Sequence, residues 1–379
     1  MTAIPLELFG LTRPRLASLL AAWGFAPTHA LRLWRYLYAE LATDFGAMID
    51  LPRALRERLR EAAVVASPVV AATRESDSGA TTKYLFQFDA SGEIQPRAET
   101  VRVETVLMRY ADRATACLSS QAGCALGCVF CATGQGGFTR NLSAAEIVGQ
   151  ALHVERVLRA ERSQLTGDRI SRRQAISSRR TQSSRRTQLS NLVFMGMGEP
   201  LLNYDAVTTA IEILGDSTGL AIGAKQTTIS TAGVVPGIVR MADERRRWSL
   251  AVSLHSANQD ERAAIVPAAR AWPLDELMES CRYYSTKLEQ KIFFEWTLIA
   301  GKNDGPEQAR ELVNLLRGIP AHVNLIPLNA TTGYDGAATD ADSARRFQTW
   351  LREVGLPATI RARRGTEAES GCGQLAGAK

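Results

Sequence analysis

The spacing of apolar residues changes twice along the chain. Up to residue 65 it follows helical turns, as at Leu16 and Leu20, and Gly24 interrupts it. From about 68 to 119 apolar and polar residues alternate, which predicts strands at TTKYLFQF and VRVETVLM joined by a turn at DASGE. The chain is therefore predicted to begin with a small helical region and to continue into a β-hairpin.

Beyond the hairpin, short apolar runs typical of strands alternate with segments of helical periodicity. The strand-like runs are ATACLSS, NLVFMG, QTTIST, WSLAVSLH, KIFFEWTLI, HVNLIP and ATIRAR, and the helices between them are predicted at 143–160, 204–214, 234–242, 273–286, 306–317 and 343–354. This alternation is typical of an α/β fold with right-handed crossovers and a parallel sheet. Six or seven units permit a full or a partial barrel, whose functional loops should follow the carboxyl ends of the strands.

The positive charge of the chain is concentrated in one segment. The formal net charge is +6, and residues 161–190 carry eight arginines against Glu161 and Asp168, so the rest of the chain is formally neutral. This segment repeats SSRRTQ in tandem and is poor in apolar residues, which predicts a disordered insertion. It is interpreted as a surface loop or, alternatively, as an arm that grips RNA.

Composition indicates a folded protein of a reducing compartment. Of 379 residues, 45% are hydrophobic, enough for a large core. The first thirty residues lack the pattern of a secretory leader, and no apolar run is long enough to span a membrane. The six cysteines are not spread as in a secreted disulfide framework. A cytoplasmic protein without a membrane segment is therefore expected.

Three cysteines stand close together in GCALGCVFC. Cys124, Cys128 and Cys131 follow the spacing C-x3-C-x2-C on a loop predicted between a strand and a helix. Three thiolates can bind zinc if a distant residue supplies the fourth ligand. They can also bind an iron–sulfur cluster, which normally takes four cysteines and would here keep one iron open. The residues alone leave both interpretations standing.

The longer motifs resemble one known family. The cysteine loop followed by GMGEP resembles the radical S-adenosylmethionine superfamily, whose open iron binds that cofactor. Within it, SSQAGCALGCVFCATGQGGFTRNL, FMGMGEPLLN, STAGVVP, AVSLH, NLIPLN and CGQLAG resemble the RlmN-type adenine carbon-2 RNA methyltransferases, which are related to the Cfr resistance enzymes. The motifs occur in order from about residue 6 to the end of the chain.

The resemblance implies an architecture, cofactors and partners. It implies an α/β radical SAM partial (β/α)6 barrel at 114–379, preceded by an N-terminal helical accessory domain at 1–66 that helps to grip RNA and a β-hairpin extension at 67–113. It implies a [4Fe-4S] cluster on Cys124, Cys128 and Cys131 and S-adenosylmethionine as cofactors. The implied partners are 23S rRNA, tRNA or both, and an electron donor such as flavodoxin or ferredoxin, with the protein as a monomer. The basic run Arg361 to Arg364 is a further candidate for phosphate contacts.

Three residues match the family's catalytic groups. Cys372, between two glycines in SGCGQLAG, matches the cysteine that carries the methyl group as S-methylcysteine. Cys117 matches the thiol that resolves the covalent adduct by forming a disulfide, and Glu104 matches the acceptor of the proton from carbon-2. Read alone, Cys117 is equally typical of a core strand, and Glu104 of an exposed strand. Cys281 lies outside every motif and is expected in the core.

The cofactor contacts implied by the resemblance fall at the ends of successive strands. They are Gly198, Glu199, Ser230, Ser253, Leu254, His255 and Asn329. Glycine permits close backbone approach, and a carboxylate accepts hydrogen bonds from an ammonium group. Read alone, His255 is more typical of a structural histidine.

Two alternatives remain beside an adenine carbon-2 methyltransferase. The stretch AARAWP replaces a polar stretch that is usual in the family, so a radical enzyme with an altered 267–273 loop would act on another substrate or on adenine carbon-8. A non-catalytic metal-binding or RNA-binding protein would keep the cysteine loop for structure. Such a protein has no need of Cys117 and Cys372.

Overall fold

The computed structural model describes residues 6–65, 67–88, 100–167, 188–365 and 367–377. The strands are β1 Leu6–Glu7, β2 Ala63–Val64, β3 Val69–Ser76, β4 Thr81–Phe88, β5 Val101–Arg109, β6 Ala114–Cys117, β7 Gln121–Gly123, β8 Phe138–Asn141, β9 Leu189–Phe194, β10 Thr227–Thr231, β11 Ser249–Ser253, β12 Ile292–Leu298, β13 Ala321–Pro327 and β14 Ala358–Ile360. The α-helices are α1 Arg13–Ala22, α2 Thr28–Trp34, α3 Arg53–Ala62, α4 Ala132–Gln135, α5 Ala144–Gly167, α6 Tyr204–Gly215, α7 Val235–Asp243, α8 Gln259–Ile265, α9 Leu274–Leu288, α10 Pro306–Leu315 and α11 Ala341–Glu353.

One large sheet organises the described part of the chain. Its strand order is β14-β13-β12-β11-β10-β9-β6-β5-β4-β3. Strand β6 and the strands from β9 to β14 are parallel, and β5, β4 and β3 continue the sheet in antiparallel pairing. Strands β7 and β8 form a separate antiparallel pair. The sheet therefore stays open at β14 and β3, which confirms the predicted partial barrel rather than a closed one.

The parallel strands are buried on both faces because helices follow them in sequence. Leu250, Phe294 and Leu325 lie at the centres of neighbouring strands and are fully buried. Helices α6, α7, α9, α10 and α11 carry their own buried apolar residues toward the sheet. The parallel sheet with crossover helices that the sequence predicted is confirmed, and so is the core position of the fully buried Cys281.

The β-extension has three strands, one more than the sequence indicated. Strand β3 pairs with β4 along its whole length, but seven of its eight residues are exposed. An exposed edge strand shows no apolar alternation, so the pattern of VVAATRES gave no strand signal. The predicted DASGE turn falls in 89–99, outside the described residues.

The helical region before β3 packs directly on the barrel. The guanidinium of Arg13 on α1 forms an ion pair with Asp216 at 2.9 Å, next to the end of α6. Arg159 on α5 donates to the carbonyl of Ala39 at 2.6 Å. Trp34 and Leu37 are buried and belong to the same hydrophobic core as the sheet. Residues 6–65 thus pack beside α5.

The predicted disordered insertion at 161–190 is wrong at its two ends, where the structure has regular elements. Helix α5 continues to Gly167, and β9 begins at Leu189. The remainder of the arginine-rich repeat, 168–187, lies outside the described residues. Within the described ranges, no helix combines the length and hydrophobicity that crossing a bilayer requires.

Candidate active site

The three clustered cysteines lie on the loop between β7 and α4. The backbone N–H of Cys124 donates to the carbonyl of Gly137 at 2.7 Å. This hydrogen bond joins the start of the loop to the residue that precedes β8. Gly123 has φ +75°, and a Cβ on it would lie 1.9 Å from the Gly137 oxygen, so no other residue fits. Cys131 ends the loop as the residue that precedes α4.

The three thiols are close enough to interact electrostatically and are poorly solvated. Burial raises the pKa of Cys124 to about 12 and raises that of Cys128 further above its usual range, and the neighbouring thiols add to both shifts. Thiols of this kind become ligands when a metal displaces their protons. Among the described residues, no three His, Cys, Asp or Glu side chains are grouped as for a single metal ion. Three thiolates on one loop are the kind of donor that an iron–sulfur cluster takes.

The segment that carries Cys372 docks on this loop. The N–H of Ala132, the residue after Cys131, donates to the carbonyl of Gly373 at 2.8 Å. The hydroxyl of Thr133 donates to the carbonyl of Leu375. On the other side, Asn329 Nδ2 donates to the carbonyl of Cys372 at 3.0 Å. The candidate methyl carrier is thereby held between the cysteine loop and the end of β13.

A cavity opens beside Cys372 at the carboxyl ends of the strands. Its lining includes Gly198, Glu199, Ser230, Glu295 and Cys372. The structure thus brings three of the predicted cofactor contacts together with the candidate methyl carrier. Ser253, Leu254, His255 and Asn329 are placed around this cavity rather than in its lining.

The GMGEP turn packs closely against β7. Gly198 has φ +95°, and a Cβ on it would come within 2.4 Å of the Gln121 Cβ. Glu199 is 3% exposed, and its carboxylate accepts from the N–H of Ala232 at 2.8 Å and of Leu201 at 3.1 Å. Burial raises the pKa of Glu199 to about 7 although these hydrogen bonds oppose the shift. The carboxylate is therefore fixed in direction and poised to gain a cationic partner.

His255 supports the site as a neutral side chain. Its Nδ1 accepts from the N–H of Thr297 at 3.0 Å, and its own carbonyl accepts from Asn303 Nδ2 at 2.8 Å. Burial lowers the pKa of His255 to about 3, with Arg262 adding to the shift. The ring meets Phe130 of the cysteine loop edge-on at 4.9 Å. The imidazole therefore joins β11 to β12 and buttresses the cysteine loop.

The other two residues of the SLH stretch hold the strand end through their backbone. Leu254 is fully buried, and its N–H donates to the carbonyl of Glu295 at 3.0 Å. The carbonyls of Ser253 and Leu254 accept from the guanidinium of Arg262 at 3.3 and 3.2 Å. Arg262 also donates to the carbonyl of Ala232 at 2.6 Å, so one buried arginine fixes the ends of β10 and β11.

Glu104 is buried and bound on both carboxylate oxygens. Its Oε1 lies 2.9 Å from Lys83 Nζ, and both side chains are 7% exposed. Its Oε2 accepts from the N–H of Ala376 at 2.8 Å and of Gly377 at 3.4 Å. The alternative that Glu104 is an exposed strand glutamate is therefore wrong. In this conformation Glu104 anchors the segment that follows Cys372.

Cys117 lies at the end of β6 and is buried, whereas Cys372 is solvent-exposed. Burial raises the pKa of the Cys117 thiol to about 12, and the neighbouring Cys372 adds to the shift. Protein atoms crowd Cys372 despite its exposure, and this crowding raises the pKa of its thiol as well. The two cysteines, 255 positions apart in the sequence, therefore lie near each other in the fold.

Sequence analysis missed one charged residue of the cavity lining. Glu295 is a lone carboxylate within the apolar run KIFFEWTLI, and that position was the available signal. Its Oε1 accepts from Asn324 Nδ2 at 2.9 Å and from Arg361 Nη2 at 3.0 Å. Arg361, which the sequence made a candidate for phosphate contacts, instead points inward to this carboxylate.

Comparison with known proteins agrees with the geometry of the site. Residues 6–65 match the family model described as the ribosomal RNA large subunit methyltransferase N-terminal domain. A probable dual-specificity RNA methyltransferase RlmN 2 of Opitutus terrae is 51% identical, over 98% of this chain and 87% of its own length. The chain belongs to the RlmN family. The dual-specificity RNA methyltransferase RlmN 1 of Myxococcus xanthus is 49% identical, over 97% of this chain and 94% of its own length.

A solved structure extends the RlmN relationship to the whole fold. The crystal structure of a radical SAM methyltransferase from Sphaerobacter thermophilus superposes with a TM-score of 0.86 at 39% sequence identity. It covers 99% of this chain and 100% of the other. The helical region, the β-extension and the open barrel therefore form one architecture that the two proteins share.

Proposed function

We propose that this RlmN-family protein is a radical SAM methyltransferase that methylates carbon-2 of adenosine in 23S rRNA, in tRNA or in both. The observation that carries the proposal is the hydrogen bond from Ala132 to the carbonyl of Gly373, which joins the three-thiol loop to the segment of Cys372. A binding protein that kept the cysteine loop for structure would have no use for this contact or for the buried Cys117.

The cluster would be held by Cys124, Cys128 and Cys131, and S-adenosylmethionine by the residues at the strand ends. When bound, the two cofactors supply the methyl group and a carbon-centred radical. Gly198 and Glu199 would receive the amino-acid portion of the cofactor, because the turn is open and its carboxylate is aimed by two backbone amides. Ser230, the backbone of Ser253 to His255, and Asn329 would complete the site.

The chain's own residues would carry out the transfer from protein to base. Cys372 accepts the methyl group on its sulfur, and its flanking glycines let the sulfur approach both the cavity and the RNA base. Glu104 accepts the proton that leaves carbon-2 after the bond to the base has formed. It can do so when the N–H groups of Ala376 and Gly377 leave its Oε2, that is, when the terminal segment lifts. Cys117 then attacks the sulfur of Cys372, so that the S–S bond forms as the bond between that sulfur and the transferred carbon breaks. The carbon leaves with the electron pair and takes up a proton, which completes the methyl group on the released base.

The RNA would contact the face next to Cys372. Arg364 stacks on the ring of Tyr110 at 4.3 Å, and Arg113 lies 4.2 Å from the same ring centroid. This pair of guanidinium groups replaces Arg361 as the candidate for phosphate contacts, because Arg361 is engaged with Glu295. The helical region at 1–66 would add to the RNA grip. We expect a cytoplasmic monomer that receives electrons from a flavodoxin or a ferredoxin.

Nucleoside mass spectrometry after reaction of the anaerobically reconstituted protein with each RNA tests the function. We expect 2-methyladenosine in rRNA, tRNA or both, and loss of the product in Cys372→Ala. The Cys117→Ala variant should accumulate a protein–RNA adduct that survives denaturing electrophoresis, whereas the matched core variant Cys281→Ala should turn over normally. 8-Methyladenosine as the product would contradict the position, and the absence of any methylated adenosine would contradict the activity.

A further inference from the structure

Lys83 joins two parts of the site that are distant from each other in the sequence. Its Nζ lies 2.9 Å from Glu104 Oε1 and donates to the carbonyl of Glu369 at 3.1 Å. Glu369 stands three positions before Cys372. The side chains of Lys83 and Glu104 are each 7% exposed, so solvent screens the pair little. One buried cation therefore holds both the proposed proton acceptor and the start of the segment that carries Cys372.

Residues 367–370, the stem of that segment, are held against the β-extension. Just before the stem, the N–H of Gly365 donates to Asp77 Oδ2 at 2.8 Å. Within the stem, Glu369 has φ +49°, a left-handed conformation that residues other than glycine keep only when their surroundings hold them in it. The carbonyl of this constrained residue is the group that Lys83 binds. The stem is thus fixed in part through Lys83.

Residues 371–377, the tip of the segment, bind the other oxygen of the same carboxylate. The N–H groups of Ala376 and Gly377 donate to Glu104 Oε2 at 2.8 and 3.4 Å. These donors have to leave before that oxygen can accept a proton. Lys83 by contrast lies on β4, which pairs with β5 in the same sheet, so its contact with Glu104 does not depend on the tip. When the tip lifts, Lys83 still aims the carboxylate.

We propose that Lys83 is a positioning residue that aligns the Glu104 carboxylate with the sulfur of Cys372 during methyl transfer. This inference rests on the proposed roles of Glu104 and Cys372. The sulfur is joined to carbon-2 through the transferred carbon, and the carboxylate takes the proton from carbon-2. A shift of one group relative to the other therefore slows the step. Lys83 touches neither the base nor a cofactor in this scheme.

The two stages of the reaction separate positioning from folding. Methyl loading of Cys372 needs the cavity and the cysteine loop but not Glu104, and the hydrogen bonds from Ala132 and Asn329 hold Cys372 there. Transfer to RNA needs Glu104 as well. Lys83→Met should therefore keep the loading and lose the transfer, whereas a general loss of structure would lower both.

Two assays on the anaerobically reconstituted full-length protein measure these stages. Peptide mass spectrometry follows the loading of Cys372 before RNA is added. Nucleoside mass spectrometry then follows one round of transfer to saturating RNA, with S-adenosylmethionine and dithionite present. We expect Lys83→Met to load like the unchanged protein and to transfer about 100-fold more slowly, as for a misplaced catalytic group. Lys83→Arg keeps the cation and its donors and should recover most of the transfer rate.

Arg159→Met is the matched control, because Arg159 also joins a buried carboxylate to a distant carbonyl. Its Nε donates to Glu155 Oε1 at 2.7 Å, and its Nη1 donates to the carbonyl of Ala39 at 2.6 Å. Glu155 is 1% exposed, and its Oε2 accepts from the N–H of Leu189 at 2.8 Å. Loss of this cation leaves a similar carboxylate uncompensated without touching the segment of Cys372. The ratio of transfer to loading should stay unchanged.

Amide hydrogen exchange provides a readout without turnover. In cluster-loaded protein without S-adenosylmethionine or RNA, Glu104 Oε2 protects the amides of Ala376 and Gly377. A buried carboxylate that has lost its counter-charge turns toward water and gives up such bonds. We expect both amides to exchange about tenfold faster in Lys83→Met than in the unchanged protein, and at an unchanged rate in Arg159→Met.

The outcomes separate the inference from the proposed function. Normal transfer in Lys83→Met, an equal loss of loading and transfer, or unchanged exchange at residues 376 and 377 would overturn the inference alone. If Lys83→Met does not fold, Lys83→Gln, which removes the charge but keeps a donor, is judged by the same results. Failure of the unchanged protein to load Cys372 or to methylate RNA would instead contradict the proposed function, and the exchange rates would still show whether Lys83 positions Glu104.

Discussion

Replacing Lys83 with Met tests how much the buried ion pair between Lys83 and Glu104 stabilises the protein. Lys83 on β4 lies opposite Val106 on β5, so Glu104 is its diagonal neighbour on the same face of the sheet. Lys83 Nζ lies 2.9 Å from Glu104 Oε1, and each of the two side chains is 7% exposed. Lys83 Nζ also donates to the carbonyl of Glu369 at 3.1 Å. The methionine keeps the length of the side chain but leaves the Glu104 carboxylate without its counter-charge.

The expected loss of stability is large for a single substitution. Removing one partner of a buried ion pair costs about 3–5 kcal/mol, because a charge stays buried without compensation. Glu104 keeps the amide donors of Ala376 and Gly377, which favours the lower end of that range. We therefore expect the free energy of unfolding to fall by about 3 kcal/mol.

Urea unfolding of the cluster-free full-length protein, followed by circular dichroism, measures this loss. The double variant Lys83→Met with Glu104→Gln should be more stable than Lys83→Met alone, since the uncompensated charge is gone. The control is Arg53→Gln, whose ion pair with Glu57 is 86% and 49% exposed and should contribute nothing measurable. A loss below about 1 kcal/mol for Lys83→Met, or a double variant no more stable than the single one, would refute this reasoning.

Three further predictions concern the cavity and the cysteine loop. Because burial raises the pKa of Glu199 from 4.5 to about 7, the folded protein holds that proton more tightly than the unfolded chain. The free energy of unfolding should then fall by up to about 3 kcal/mol as the pH rises from about 4.5 to about 7, and denaturant titrations of Glu199→Gln should lack this fall. Gly198→Ala places a Cβ 2.4 Å from the Gln121 Cβ, so calorimetry should detect weaker S-adenosylmethionine binding than in the unchanged protein. Cluster removal by a chelator should leave Cys124 slow to alkylate at neutral pH, because its thiol pKa is about 12.

The local pattern of the sequence determined most of the fold. Strand β6 and each strand from β9 to β14 were predicted near their observed positions, because short apolar or β-branched runs between helical segments are typical of buried parallel strands. The cysteine loop was equally visible, since three ligands within eight positions need no tertiary information. Strand β3 and residues 161–167 of α5 were missed, because an exposed edge strand and a polar helix end carry no apolar period.

Tertiary structure alone decided which charges belong to the site. The sequence placed Arg361 in a basic run, and only the meeting of β12, β13 and β14 turned it toward Glu295. The sequence likewise allowed Glu104 to be either a proton acceptor or an exposed strand residue. In the structure it is buried against Lys83 and beneath residues 376 and 377, which lie more than 270 positions away in the sequence. Periodicity records which face of an element is apolar, whereas the partner of a buried charge depends on how distant segments close on one another.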